Sequence, residues 1–244
     1  MKTLILIPSR LSATRLPGKP LLKINGLSII SHVFKKAEEA NIGEVFVAAE
    51  DQEIVDDVKR NGGQAILTKN KHKTGTDRVH EAVKLLGKSN VDLVMNIQGD
   101  EPLMNVEDIR LLNNEMVKSQ SQLGTLASKI SDQNLYEEEN VVKVATKESL
   151  EKSKFPEAIN FLRKSTKSTK NIYHHLGIYC FRVEILKSFV SFKQSQNEIK
   201  NKLEQLRALE NDIKINVALA KSSPIGVDTE DDFIALKKIM EYKT

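Results

Sequence analysis

Hydrophobic positions in the first hundred residues alternate between short continuous runs and spaced repeats. Apolar, β-rich runs recur at residues 3–7, 45–49, 65–68 and 93–97. Each is too short for a helix and predicts a buried strand. Between them, Ile30, Val33, Phe34 and Ala37, then Ile54, Val55 and Val58, then Val79, Ala82, Val83 and Leu86 fall at helical spacing. Asp51 is the expected N-cap of the second helix, Asn61-Gly62-Gly63 its stop, and Thr76 the expected cap of the third. Alternating strands and helices predict βαβ units on a parallel sheet, with right-handed crossovers.

The second half is less regular. The pattern predicts a helix over 106–118, strands at 124–129, 141–146, 172–181 and 213–220, a helix over 202–211 and a closing helix from about 230 to 240. Residues 164–170 are rich in Ser, Thr and Lys and read as an exposed loop. There is no internal repeat and no Pro/Gly/Ser-rich linker, so the expectation is one mixed α/β domain over 1–244.

Composition narrows this picture only a little. The chain has 37 Lys+Arg against 33 Asp+Glu, a net charge of +4, with both signs interspersed. That balance suits a small anionic ligand and argues against nucleic acid. Cys180 is the only cysteine, which excludes an intrachain disulfide and fits a reducing cytoplasm. The N-terminal apolar run stops at Pro8, short of a signal-peptide core, and no run reaches the roughly 18–20 residues of a membrane span. A soluble cytoplasmic protein without membrane insertion is expected.

The candidate chemistry gathers where strands end. The first run gives way to a loop carrying Arg10, Arg15 and Lys19, with Ser9, Ser12, Thr14 and Gly18 among them. Open α/β sheets place ligands at the carboxyl ends of strands, and such a loop is suited to phosphate oxygens. A solvated basic loop is the plain alternative. Asn96-Ile97-Gln98-Gly99-Asp100-Glu101-Pro102 also follows a strand, which aims Asp100 at the same crevice. Asp100 there either holds magnesium or caps the next helix. Asp228 or Thr229 reads first as an N-cap, with Glu230, Asp231 and Asp232 in an acidic first turn, and Asp228 could still hold a metal if it precedes the helix. Lys73-Thr74-Gly75-Thr76-Asp77-Arg78 either reads a base and ribose or simply starts a helix. His174 and His175 face opposite sides of a strand, and by themselves read as surface histidines. Leu203, Leu206 and Leu209 form a stripe that leaves Glu204, Gln205 and Arg207 to solvent by default. No Gly-x-Gly-x-x-Gly follows the first strand and no P-loop motif is present, which weighs against dinucleotide oxidoreductases and P-loop enzymes.

Jointly, these segments resemble one family. Residues 7–21, Thr74-Gly75-Thr76-Asp77-Arg78, 96–102, His175-Leu176-Gly177-Ile178-Tyr179, 203–209 and Gly226-Val227-Asp228-Thr229 are similar to the motifs of the 3-deoxy-manno-octulosonate (Kdo) cytidylyltransferases, in that order. The resemblance implies a single Rossmann-like, nucleotide-diphospho-sugar transferase-type α/β fold with a mixed, mainly parallel sheet. A nucleotide-binding part would cover about 1–120 and a sugar-binding and dimerisation part about 121–225. It implies transfer of CMP from CTP to a 3-deoxy-2-ulosonic acid, with release of pyrophosphate, for lipopolysaccharide biosynthesis by a homodimer. By the same resemblance Arg10, Lys19 and Asp100 are catalytic, and Asp100 and Asp228 hold Mg2+. Pro8, Ser9, Arg10, Lys19, Thr74, Gly75, Arg78 and Gln98 bind the nucleotide; Gln98, Arg163, His175, Glu204 and Gln205 face the sugar.

One segment departs from the family pattern. Phe155-Pro156-Glu157 stands where the family has Phe-Ser-Arg, so a carboxylate replaces an arginine expected to meet the sugar's own carboxylate. Either Arg163 or Lys164 compensates, or the sugar carries an amine that pairs with Glu157. Two alternatives stand beside the main reading: an enzyme activating another acidic sugar, such as a sialic-acid-like one, and a non-catalytic nucleotide-binding regulator.

Overall fold

The computed structural model describes residues 1–12, 15–69, 71–165, 169–223 and 226–242. Thr14, the middle of the 164–170 stretch and Ile225 lie outside the described residues. In chain order the elements are β1 (Thr3–Ser9), β2 (Lys23–Ile24), β3 (Leu27–Ser28), α1 (Ile29–Glu39), β4 (Gly43–Ala49), α2 (Gln52–Arg60), β5 (Ala65–Leu67), α3 (Gly75–Leu86) and β6 (Leu93–Asn96). They continue with α4 (Val106–Ser119), β7 (Leu123–Ser128), β8 (Lys143–Thr146), β9 (Ala158–Leu162), β10 (Ile172–Arg182) and α5 (Val183–Ser191). The last are α6 (Gln196–Asn201), α7 (Leu206–Leu209), β11 (Ile215–Leu219) and α8 (Glu230–Glu241). No helix among the described residues is long and apolar enough to cross a membrane.

The chain forms two units. One comprises Lys2–Val91, Asn96–Ile109 and Pro224–Thr244, so the C-terminal segment is part of it. Here β1 pairs parallel with β4, from Thr3↔Gly43 to Ser9↔Ala49, and β4 pairs parallel with β5. Leu4 to Ile7 are at most 1% exposed, and a strand buried on both faces is apolar without alternation. The stripe Ile29, Ile30, Val33, Phe34 and Ala37 is buried on α1, whose first turn is capped by Ser28. Thr76 does not cap α3. The extended backbone that a cap needs falls at Thr74, whose hydroxyl accepts from Asp77 N–H, while Thr76 is buried inside the first turn. Asp51 sits at the N-cap of α2, but its carboxylate accepts from Leu11 N–H at 2.8 Å and ties down the loop after β1. A small core of Ile24, Ile29, Val227 and Leu236 packs against Leu16 and Leu103, seating α8 and the segment before it beside that loop.

The other unit comprises Met1, Asp92–Met95 and Arg110–Ser223. Its strands run in the order β11–β7–β10–β6; β11 is parallel to β7, and β10 is antiparallel to it with a bulge between Leu176 and Tyr179. β8 pairs antiparallel with both β10 and β9. The helix expected over 202–211 is broken. Lys202 adopts φ 52, a left-handed conformation that ends α6, and helix resumes only at Leu206. The strands and helices of the two units make the expected α/β class with a mixed sheet.

Candidate active-site cleft

A cleft of about 320 Å³, within the range of small-ligand sites, opens in the first unit. Its walls are the carboxyl end of β1 with the following loop, residues 72–75 at the start of α3, residues 98–100 after β6, and Asp228 before α8. The loop is closed by Gly18, whose N–H donates to Leu11 O and whose φ of 71 suits glycine. A 3-10 turn at Lys19–Leu21 follows and anchors Pro20 in the core.

Lys19 is the centre of the cleft's electrostatics. Its Nζ donates to Asp100 Oδ2 at 2.7 Å, to Val227 O at 2.6 Å and to Asp228 Oδ1 at 3.3 Å. Arg15 Nη2 takes the other Asp228 oxygen at 2.9 Å. Asp100 therefore does not cap a helix, and Asp228 is free of capping because Thr229 and Asp232 form the capping box of α8. Glu101 completes a cluster of three carboxyls. Its Oε2 is buried and makes no hydrogen bond. Burial first, then Asp100 and Asp228, push its carboxyl up to about 8 against the opposing pull of Lys19. Arg10 is exposed on the wall of the cleft.

The donor set bears on magnesium. Asp100 and Asp228 are hard oxygen donors already converging on one cation, the Lys19 ammonium. Among the described residues no three His, Cys, Asp or Glu side chains form a metal cage. Two converging carboxylates are a donor set that fits Mg2+, which draws its remaining ligands from phosphates and water.

At the other end of the cleft, Thr74 and Gly75 line the wall with Pro8, Ser9 and Gln98. Ser9 Oγ is buried without a hydrogen-bond partner. Arg78 lines the cleft too, as expected of a nucleotide-binding residue. It is 3% exposed, donates to Thr68 Oγ1 and Lys69 O, and pairs with Glu50, which fixes its place in the wall. His72, Lys73 and Gly99 also line the cleft and were not expected there. Their only sequence signal was adjacency to Thr74 and Asp100.

The residues expected to face a sugar, other than Gln98, lie in the second unit. His175 is no surface histidine: it is 7% exposed, edge-on to Phe161, with Nε2 3.0 Å from Thr125 Oγ1. The Thr125 hydroxyl spends its proton on Ile178 O at 2.7 Å, so it accepts from His175 Nε2–H. Burial, with a smaller push from His174, holds His175 down to about 3, so the ring is neutral. The Tyr179 phenol is held well above its ordinary value by burial and by Glu204, which places Glu204 beside the same aromatic group. Gln205 is buried at the start of α7. Arg207 does not project to solvent: it is 1% exposed, forms an ion pair with Glu198 and stacks on Phe189. Arg163 differs too, because its guanidinium donates to the backbone carbonyls of Asn201, Lys202 and Glu139 and clamps loops together. Glu157 pairs with Lys147 and Lys214, and Lys164 with Glu139.

Comparison with known proteins places these features. Residues 4–215 match a family model described as cytidylyltransferase. The 3-deoxy-manno-octulosonate cytidylyltransferase of Afipia carboxidovorans is 40% identical over 98% of this chain and 96% of its own length. That of Thermodesulfovibrio yellowstonii is 39% identical over 98% of both. A solved CMP:2-keto-3-deoxy-manno-octonic acid synthetase complexed with CTP superposes with a TM-score of 0.88 at 32% identity over the whole of both chains. A UDP-glucose pyrophosphorylase shares the fold alone, at TM-score 0.72 and 14% identity.

Proposed function

The chain belongs to the cytidylyltransferase family, and from that premise we propose that it is a 3-deoxy-manno-octulosonate cytidylyltransferase. It transfers CMP from CTP to Kdo and releases pyrophosphate. The observation that carries this reading is Lys19 held between Asp100 and Asp228 on a cleft of about 320 Å³ at the carboxyl end of β1.

The chemistry follows from the charges. The C2 hydroxyl of the sugar attacks the α-phosphorus in line, forming a phosphorus–oxygen bond while the bond to pyrophosphate breaks. The hydroxyl proton is lost to solvent. Negative charge grows on phosphate oxygens, so preorganised cations do most of the work. Arg10 and Lys19 stabilise that charge, and Pro8, Ser9, Thr74, Gly75 and Gln98 hold the base and ribose, with Arg78 supporting them. Asp100 and Asp228 would hold Mg2+, which supplies further positive charge to the triphosphate when bound. Glu101, buried beside them with an unbonded oxygen and its carboxyl pushed up to about 8, leaves the negative charge of the cluster on Asp100 and Asp228.

For the sugar the resemblance points to Gln98 in the first unit and to His175, Glu204 and Gln205 in the second. A neutral His175 fixed through Thr125 offers Nδ1 as an acceptor for a sugar hydroxyl. Glu157 is neutralised by two lysines, which removes the reason to invoke an amine on the substrate and favours unmodified Kdo. We also place the enzyme in the cytoplasm, supplying lipopolysaccharide synthesis, as a homodimer; the exposed Ile159 on edge strand β9 suits a partner surface. Pyrophosphate release with CTP and a panel of ulosonates, with and without Mg2+, tests the activity. Light scattering tests the dimer.

A further inference from the structure

The turn between β5 and α3 contributes His72, Lys73, Thr74 and Gly75 to the cleft, yet its local sequence does not favour its shape. Lys71 sits at φ 80, a left-handed conformation that a lysine rarely adopts. Something outside the turn therefore holds it. Two side chains on α3 do so. Arg78 donates to Thr68 Oγ1 at 2.7 Å and to Lys69 O at 3.2 Å. One turn further on, Glu81 Oε2 accepts from Lys69 N–H at 3.0 Å and lies 2.5 Å from His72 Nε2. A single carboxylate oxygen thus ties Lys69 and His72 to the helix.

Glu81 is not among the residues that line the cleft, whereas His72, which it holds, is. We propose that Glu81 is a positioning residue which, through His72 and the Lys69 amide, fixes residues 71–75 in the shape that reads the base of CTP. This rests on the assignment of the cleft to CTP. Discrimination of the cytosine amine from the uracil carbonyl depends on fixed donors and acceptors, because a mismatched base leaves buried groups unpaired. A turn with a strained residue keeps such groups in register only while its anchors hold. Burial alone raises the Glu81 carboxyl, but the bonds from His72 and the Lys69 amide outweigh it and hold it below its ordinary value. It remains an ionised acceptor for both.

The test compares CTP and UTP dissociation constants by calorimetry, with kcat and KM, for the wild type, E81A, E81Q and H72A. E81A and H72A are expected to weaken CTP about tenfold or more and to shrink the preference for CTP over UTP, with kcat changed less than about threefold. E81Q, which keeps an acceptor oxygen, recovers most of the loss. The E81A/H72A double variant is no worse than E81A, since both break one anchor. Should E81A fail to fold, H72A carries the same comparison. A wild-type CTP/UTP preference in the variants, even with a lower melting temperature, would overturn the inference and leave Glu81 a structural residue. Wild-type protein that binds neither triphosphate would instead overturn the functional reading and this inference with it.

Discussion

Two cation–carboxylate clusters in this chain use similar residues and serve opposite ends. In the second unit, Arg207 and Glu198 are 2% and 3% exposed at their side chains, and the guanidinium also stacks on Phe189. Each Glu198 oxygen has an Arg207 donor, and Ser195 and Gln194 add hydrogen bonds. Every lone pair is matched and water is excluded. In the first unit, Lys19 is shared among Asp100, Asp228 and a carbonyl, and the two aspartate side chains are 29% and 47% exposed. A third carboxyl, Glu101, stands beside them with an unbonded buried oxygen. The sealed pair is complete, whereas the open cluster shares its carboxylates between Lys19 and the exposed Arg15 and is accessible to a ligand. Partner count and exposure, not residue type, separate structure from chemistry here.

The sharpest way to break this contrast is to remove one partner from each cluster. Arg207→Ala leaves Glu198 buried and unpaired, so denaturant unfolding should register a loss of about 3–5 kcal/mol. The folded fraction should keep its kcat/KM within about twofold. Lys19→Ala and Asp100→Asn should do the reverse: turnover falls about 10²–10³-fold, as for loss of one preorganised charge, while the melting temperature stays nearly constant. If Arg207→Ala cost activity and Lys19→Ala cost only stability, the roles assigned to the clusters would be exchanged.

A third comparison uses pH. Unfolded His175 takes a proton near 6.5, whereas in the fold it does so only near 3. Between those values the unfolded state binds more protons, so stability falls as pH drops. From pH 7 to pH 5 that amounts to about 2 kcal/mol, at about 1.4 kcal/mol per unit. His175→Gln should flatten this acid limb by that amount in pH-dependent urea titrations; an unchanged slope would mean that the ring is not sealed.

The smallest expected effect is at Glu157. Its two lysine partners make it a surface charge, so Glu157→Arg should shift the ratio of specificity constants for Kdo and an amino-substituted Kdo by less than about twofold. A larger shift toward Kdo would return Glu157 to the sugar pocket.

Legibility in the sequence followed the same divide. β1, β4 and β6 were readable because strands buried on both faces leave uninterrupted apolar runs, and their carboxyl ends then located Arg10, Lys19 and Asp100. The start of α8 was readable too, since its residues are contiguous, but the choice between Asp228 and Thr229 as its cap was not, and only the Thr229–Asp232 capping box leaves Asp228 to the cleft. What failed was non-local. Arg207 looked solvent-bound because its partner Glu198 sits nine residues upstream, across a break at Lys202 that periodicity does not reveal. Arg163 looked available because its acceptors are backbone carbonyls, about which sequence is silent. The Glu81–His72 contact likewise spans a turn whose shape no local propensity specifies.

The central claim is that the open cluster is a triphosphate site and not a second structural ion pair. The most direct measurement is pyrophosphate release by the wild type, Asp100→Asn and Asp228→Asn with CTP, Kdo and limiting Mg2+, alongside the melting temperature of each. The account predicts release that requires both CTP and Kdo in the wild type, and a steep loss in both variants with melting temperatures little changed. Wild-type turnover in both variants, or release that does not require Kdo, would contradict it.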